Sequence, residues 1–433
     1  MLGASALLSS PAKIGAAYKA KTVCSEVFVA NRDPATVASE DFNELSPALG
    51  FIRHKIDVEK KVVRASLLGL GASKAIYREG VGCALAVGGP PATVDFSAAG
   101  WAPQSTEFNV SGGDDALDRI LDQAMADESA NHRAFVIIAN GEIIAERYAS
   151  GFSKDTPFLS WSMAKSVTAT LIGAAADRGF LALSDPAPIP EWADDARNVI
   201  TWRDLLRMES GLEFEEVYDS TASDVNKMLF RSREMAAVAA NKPAGRKPGE
   251  VFSYSSGTSN LLARALDGVL RNNGTNLQNF AREAIFGPIG AASFILETDA
   301  SGNFIGSSYA YATARDWARL GQVYVQDGKW LDAQVLSSDW VSFVREPTAA
   351  SDRYYGGHFW LNYDGLSGRE RWLKGLLEDV YTMSGHEGQY VFIFPSDNIV
   401  IVRTGMTRGK PAVEAVSPVV KALYDVVASQ GML

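Results

Sequence analysis

Residues 167–176 read Val-Thr-Ala-Thr-Leu-Ile-Gly-Ala-Ala-Ala, apolar or small on every side of a helix. A helix without a polar face must be covered all round, so this one belongs at the centre of the fold with its first turn buried. That first turn is Ser162-Met-Ala-Lys165. Positions three apart on a helix share a face about one turn from each other, so the lysine amine can reach the serine hydroxyl. Both groups sit at the positive end of the helix dipole. That field and burial disfavour the ammonium and lower its pKa. A neutral lysine beside a hydroxyl is a base beside a nucleophile, which an otherwise inert serine requires.

Ser-x-x-Lys by itself is common. The other reading of Ser162 is a helix N-cap, with Lys165 a solvated first-turn residue; the buried run that follows argues against it. A second match, Ser10-Pro-Ala-Lys13, places proline where a helix interior is needed and is set aside. The 433 residues, 47% hydrophobic and 21% charged, supply ample core for two or three domains or one large one with insertions. A net charge of -10 excludes a nucleic-acid partner, since no basic surplus is present to neutralise phosphates. No apolar run reaches the length of a membrane span. Histidines 54, 132, 358 and 386 are scattered without metal-ligand spacing, so neither a metal nor another cofactor is expected. Cys24 and Cys83 each lie in strand-like text. They form either a disulfide, as in a periplasmic or secreted protein, or two buried thiols in the cytoplasm. Residues 1–10 are small and apolar without a basic leader, a trimmed signal segment or a disordered start.

In chain order, residues 1–112 alternate short strand-like and helical pieces and read as an N-terminal extension of unassigned role. Residues 113–433 read as the main domain. Asp114 to Glu128 has helical periodicity with acidic residues in its first turn. Ala134–Ala139 and Glu142–Tyr148 flank Asn140-Gly141, the pair that favours a type I′ hairpin. From about 185 to 347 the pattern is mainly helical. Residues 356–361, 379–384, 388–394 and 398–403 then read as strands, and 413–428 as an amphipathic helix. The expected fold is therefore α/β in the α+β sense: one antiparallel sheet assembled from both chain ends, flanked by helices, with an inserted helical subdomain. A cleft between the two should take the ligand.

Two further clusters belong to that cleft. Pro248-Gly249 leads to Tyr254-Ser-Ser256 and a new helix, a position suited to pointing a phenol and a hydroxyl into a cleft. Tyr148-Ala-Ser150 and Tyr218-Asp-Ser220 match the same Tyr-x-Ser pattern without that setting. Gly385-His386-Glu-Gly388-Gln389 opens a core strand, where glycines admit close approach and strand N–H groups can serve an oxyanion. The competing reading is a plain bulge with a surface histidine.

Ser-x-x-Lys, Tyr-x-Ser and His-x-Gly, in that order, resemble the penicillin-recognising serine hydrolases, in particular the class C β-lactamase branch. Residues 200–212, 286–290, 312–321 and 327–330 are similar to the same branch, and 385–389 looks closest to its carboxylesterases and nylon-oligomer amide hydrolases. The resemblance covers about 115–430. It implies the antiparallel-sheet fold and a covalent acyl-enzyme on Ser162, with Lys165 as base and Tyr254 relaying protons. It also implies substrate-binding or oxyanion roles for Ser256, His386, Gly388, Gln389 and Tyr218. The oxyanion donors would be the N–H of Ser162 and one near Gly388–Gln389. Where lactamases carry Lys-Thr-Gly this chain has His386-Glu-Gly388, which weakens the anchor for a substrate carboxylate unless Arg403 or Arg408 replaces it. A small uncharged ester or amide is the expected substrate. A β-lactam or cell-wall peptide, or a non-catalytic binding module, are the other readings. Oligomeric state is left open.

Overall fold

The computed structural model describes residues 2–42, 45, 47–96 and 108–429; the rest of the expected N-terminal extension lies outside the described residues. A 27-residue helix, Leu2–Phe28, opens the chain. A four-stranded antiparallel sheet follows: β1 (Ile52–Asp57), β2 (Val62–Leu67), β3 (Leu70–Arg78) and β4 (Gly82–Leu85). The central sheet combines β5 (His132–Ala139) and β6 (Glu142–Tyr148) with late strands β12 (Trp360–Leu361), β13 (Tyr381–Gly385), β14 (Gln389–Phe394) and β15 (Ile399–Gly405). Its order is β12-β13-β14-β15-β5-β6. All its pairs are antiparallel, so the sheet is assembled from both ends as expected. Asn140 and Gly141 take φ of 50° and 84° at the β5–β6 turn, as a type I′ hairpin requires.

Strand alternation covers both faces. Phe135, Ile137, Phe392, Phe394, Ile399 and Ile401 pack under helices Asp115–Met125 and Ala412–Ser429. Val136, Ile138, Val391, Ile393, Val400 and Val402 face the other way, into the core that holds helices Met163–Asp177 and Ala314–Val325. Asp114 caps the first of these helices, accepting from the N–H groups of Ala116 and Leu117. A smaller sheet, β7 (Pro157–Leu159), β8 (Ile295–Leu296) and β9 (Ala310–Thr313), delivers the chain to the helix Met163–Asp177, and β10 (Lys329–Trp330) pairs with β11 (Ala333–Gln334).

Three expectations are corrected. The text around Cys24 is helical, because Lys21, Thr22, Val23, Cys24, Ser25 and Glu26 are all buried and the polar ones among them find partners; packing overrides the β-branched composition. Pro11 lies inside that same helix, so the argument from the proline does not hold. Of residues 356–361 only Trp360–Leu361 is strand, since His358 turns the chain with φ 64°. Cys24 and Cys83 are disulfide-bonded with Cα atoms 6.1 Å apart, which ties the first helix to β4. Among the described residues no helix is long and apolar enough to cross a membrane.

Candidate active site

Ser160 is stitched to β9 at both ends: its N–H donates to the Ala310 carbonyl at 2.9 Å and its Oγ accepts from the Ala310 N–H at 3.1 Å. Trp161 then takes φ 44°, a left-handed conformation costly for a bulky residue, and throws the chain into the helix Met163–Asp177. Ser162 sits at the N-cap position yet makes no side-chain capping bond, so its hydroxyl is not spent on the backbone. Lys165 is 1% exposed. Its Nζ donates to Ser162 Oγ at 3.0 Å, Ser256 Oγ at 3.1 Å and the Ser307 carbonyl at 2.9 Å. Burial lowers its pKa to about 8, against an opposing pull from the Glu216 charge. A neutral amine keeps two N–H donors, enough for Ser256 and Ser307, and leaves its lone pair for the Ser162 proton.

Ser255 caps the helix Ser256–Asn272 by accepting from the Thr258 N–H, which fixes Tyr254 and Ser256 on either side of the cap. Ser256 Oγ accepts from Lys165 and donates to Glu216 Oε1 at 2.5 Å; its N–H donates to Glu216 Oε2 at 2.9 Å. Tyr218 donates to the same carboxylate at 2.7 Å. The Tyr254 ring lies 4.9 Å from Lys165 Nζ and 5.2 Å from the Trp360 ring. Burial pushes the Tyr254 phenol well above its ordinary range, while its hydrogen bond to Ser162 pulls the other way.

The opposite wall is the turn His386–Gly388 between β13 and β14. It can come this close only because residue 385 is glycine: a Cβ there would lie 2.2 Å from the Ser160 carbonyl. The His386 side chain is 57% exposed, stacked at 6.0 Å on Tyr218 and edge-on at 5.6 Å to Trp161. Glu387 holds φ 59° and buries its carboxylate against Arg408. The Gly388 carbonyl accepts from Arg403 at 2.7 Å. The Gln389 side-chain amide donates back to the His386 and Gly405 carbonyls and is engaged inside the protein.

Ser162, Lys165, Tyr254 and Ser256 are thus brought into direct contact, and Tyr218 and His386 join them through Glu216 and Trp161. Arg403 is fully buried, bonded to His132, Thr407 and the carbonyls of Ala130, Glu387 and Gly388. Arg408 is paired with Glu387 and the Asp41 carbonyl. Both alternative anchors are therefore engaged inside the protein. Sequence reasoning missed Glu216, Ser307 and His358, none of which carries a motif. His358 is buried, with Nε2 2.9 Å from Ser259 Oγ and Nδ1 2.7 Å from the Leu206 carbonyl. Its own carbonyl accepts from Ser166, the residue after Lys165. Burial lowers its pKa to about 3, so it is a neutral brace of the helix Met163–Asp177. Among the described residues no cluster of His, Cys, Asp or Glu is arranged to hold a metal.

Residues 117–420 match the model of the family described as Beta-lactamase. A 6-aminohexanoate-dimer hydrolase from Paenarthrobacter ureafaciens is 26% identical over 288 residues, 62% of this chain and 71% of that protein. A putative 6-aminohexanoate-dimer hydrolase structure from Bacillus anthracis superposes with TM-score 0.61 at 20% identity, over 76% of this chain and 88% of that one. EstCE1, a hydrolase with promiscuous acyltransferase activity, superposes with TM-score 0.57 at 14% identity, over 71% of this chain and 98% of that one. These two structures share the fold. With the family model matching well over half of its length, this chain belongs to the beta-lactamase family and is a serine hydrolase.

Proposed function

We propose that the protein hydrolyses a small ester or amide through a covalent acyl-enzyme on Ser162. One observation carries this reading: a lysine 1% exposed, with its amine 3.0 Å from a serine hydroxyl that caps nothing. Lys165 in its neutral form takes the Ser162 proton as Oγ attacks the acyl carbonyl. The tetrahedral oxyanion is met by the N–H of Ser162 and one at Gly388–Gln389. Collapse breaks the carbonyl–leaving-group bond, and Tyr254 passes the proton from Lys165 to the departing oxygen or nitrogen. Water then attacks the acyl-enzyme and gives its proton to the Tyr254–Lys165 pair. The acid is released as the pair returns that water-derived proton to Ser162 Oγ.

Substrate class follows from the turn at 386–388. Selectivity is differential binding of the transition state, and a charged anchor helps only substrates with the matching charge. Lysine is absent there, and Arg403 and Arg408 are engaged inside. The relative named for hydrolysing the 6-aminohexanoate dimer supports amide cleavage, and EstCE1, named as a hydrolase with acyltransferase activity, supports acyl transfer. The Cys24–Cys83 disulfide supports a periplasmic or secreted location. Residues 1–112 as an extension on a hydrolase domain beginning near 113, with a helical insertion at about 185–347, belong to the same proposal.

Ser162→Ala tests the assignment. Turnover of p-nitrophenyl butyrate should fall by about 10⁴-fold or more with an unchanged thermal melt, because a hydroxyl is lost rather than core volume. A fluorophosphonate should label wild-type Ser162 and nothing in the variant. Near-wild-type turnover, or label on another serine, overturns the reading.

A further inference from the structure

The N-terminal segment reaches the turn at His386–Gly388 through an unbroken chain of polar contacts. Asp41 is 1% exposed; its carboxylate accepts from Arg32 at 2.5 Å and from Arg133 of β5 at 2.7 Å. Its carbonyl accepts from an Arg408 guanidinium nitrogen at 3.1 Å. Arg408 in turn pairs with the buried carboxylate of Glu387. Glu387 is the residue held at φ 59° immediately before Gly388, and such a conformation persists in a non-glycine residue only when its surroundings over-determine it. The Glu387 carbonyl also accepts from the Thr407 N–H at 3.0 Å and from Arg403 at 3.0 Å. Tyr18 and Thr22 of the first helix, Asp41, Trp161, Glu387, Gln389 and Arg408 line one small cavity of ≈ 30 Å³. That is room for about one or two waters. Helix and turn are thus two walls of one cavity. The Cys24–Cys83 disulfide pins the helix in place, as does Glu297, which pairs with Lys21 and accepts from the Cys83 N–H at 2.5 Å.

We infer that the N-terminal segment is a built-in brace of the oxyanion wall, with Arg408 and Glu387 as positioning residues for the Gly388–Gln389 backbone. This rests on the proposed acyl-enzyme reading and deepens it, giving residues 1–42 a role in the rate of the chemical step. The oxyanion donors must meet a position that exists only in the transition state, so a small displacement of the turn lowers kcat and leaves ground-state binding largely intact. Loss of overall stability has a different signature: the active fraction falls and the remaining enzyme keeps its kcat and pH profile.

The test compares Arg408→Met and Glu387→Gln on the full-length protein, with kcat and KM for p-nitrophenyl butyrate normalised to sites titrated by a fluorophosphonate. Arg408→Met should lose about tenfold to a hundredfold in kcat per titrated site with KM within about twofold. Glu387→Gln, which keeps shape and an acceptor oxygen but removes the counter-charge of Arg408, should fall between wild type and Arg408→Met. Glu387→Ala, cut from the other side of the same link, should match Arg408→Met and serves if that variant does not fold. Asp41→Ala should also lower kcat, and adding Arg408→Met to it should cost little more, because both break one chain. Wild-type kcat per site in Arg408→Met and Glu387→Ala, or fully additive losses with Asp41→Ala, overturns the brace. The two readings fail separately: an active Ser162→Ala removes the acyl-enzyme, whereas an inactive Ser162→Ala beside a fully active Arg408→Met removes only the brace.

Discussion

The two walls of the active site are held by different physics. On the Ser162 side the candidate pair is local: one helical turn sets the Ser162–Lys165 distance, and buried apolar neighbours from Met163 to Ala175 keep water away. On the 386–389 side almost nothing is local. Arg403, Arg408 and Arg133 draw on partners at 41, 130–132, 387–388 and 407. The first wall tunes a pKa by exclusion of water, and the second fixes a backbone by buried charge. An apolar wall loses little when one methyl is shaved. A wall of paired ions loses much when one member goes, because the other is left buried without its counter-charge.

The comparison is broken most severely at Lys165. Lys165→Arg keeps the charge and the buried stem but cannot supply a neutral base, since guanidinium does not deprotonate in the working range. Activity on p-nitrophenyl butyrate should fall by about 10³-fold or more. An arginine enzyme with ordinary turnover would show that exclusion of water around this amine has no catalytic purpose.

On the other wall, His386→Lys restores the cation missing at an exposed position beside Tyr218 and Trp161. A charge-assisted hydrogen bond is worth about 1.5–3 kcal/mol, so the ratio of nitrocefin to ester kcat/KM should rise by about 10- to 150-fold. The wild-type protein should favour the ester. A wild-type preference for nitrocefin, or a ratio unmoved by lysine, would place the specificity outside this wall.

The smallest effect joins the two sides through Glu216. Lys165 must be neutral to act, so kcat/KM should rise with pH along a limb centred near the free-enzyme lysine value of about 8. The groups around that amine are Ser162, Ser256, the Tyr254 ring, the Ser307 carbonyl, neutral His358 and, through Ser256, Glu216. The Glu216 charge stabilises the ammonium and so raises the pKa; Glu216→Gln removes it and should move the limb to lower pH. A limb that stays in place or moves upward would mean that the carboxylate only orients Ser256.

Much of the catalytic side was legible because its signals are short-range. Ser-x-x-Lys is a one-turn relation, Asn140-Gly141 dictates its own turn, and the helix after Tyr254 starts behind its own cap, Ser255, downstream of the Pro248-Gly249 turn. The N-terminal segment was misread for the converse reason. The Thr-Val-Cys-Ser-Glu-Val-Phe-Val text alternates like a strand, yet it is helical because helix-spaced polar residues find partners far along the chain, Lys21 and Ser25 on Glu297.

Residues 162–165 therefore carry in their own spacing the Ser162–Lys165 contact and the helix that presents it. Tertiary structure alone decided that Glu216, 40 residues from Ser256, would complete the hydrogen-bond chain. It decided likewise that Asp41 would reach Arg408, 367 residues away, and through it Glu387. A contact within one helical turn is written in backbone geometry, so composition and order reveal it. A buried ion pair exists only after the whole chain has excluded water around it, and any of 51 acids could have met any of 41 cations.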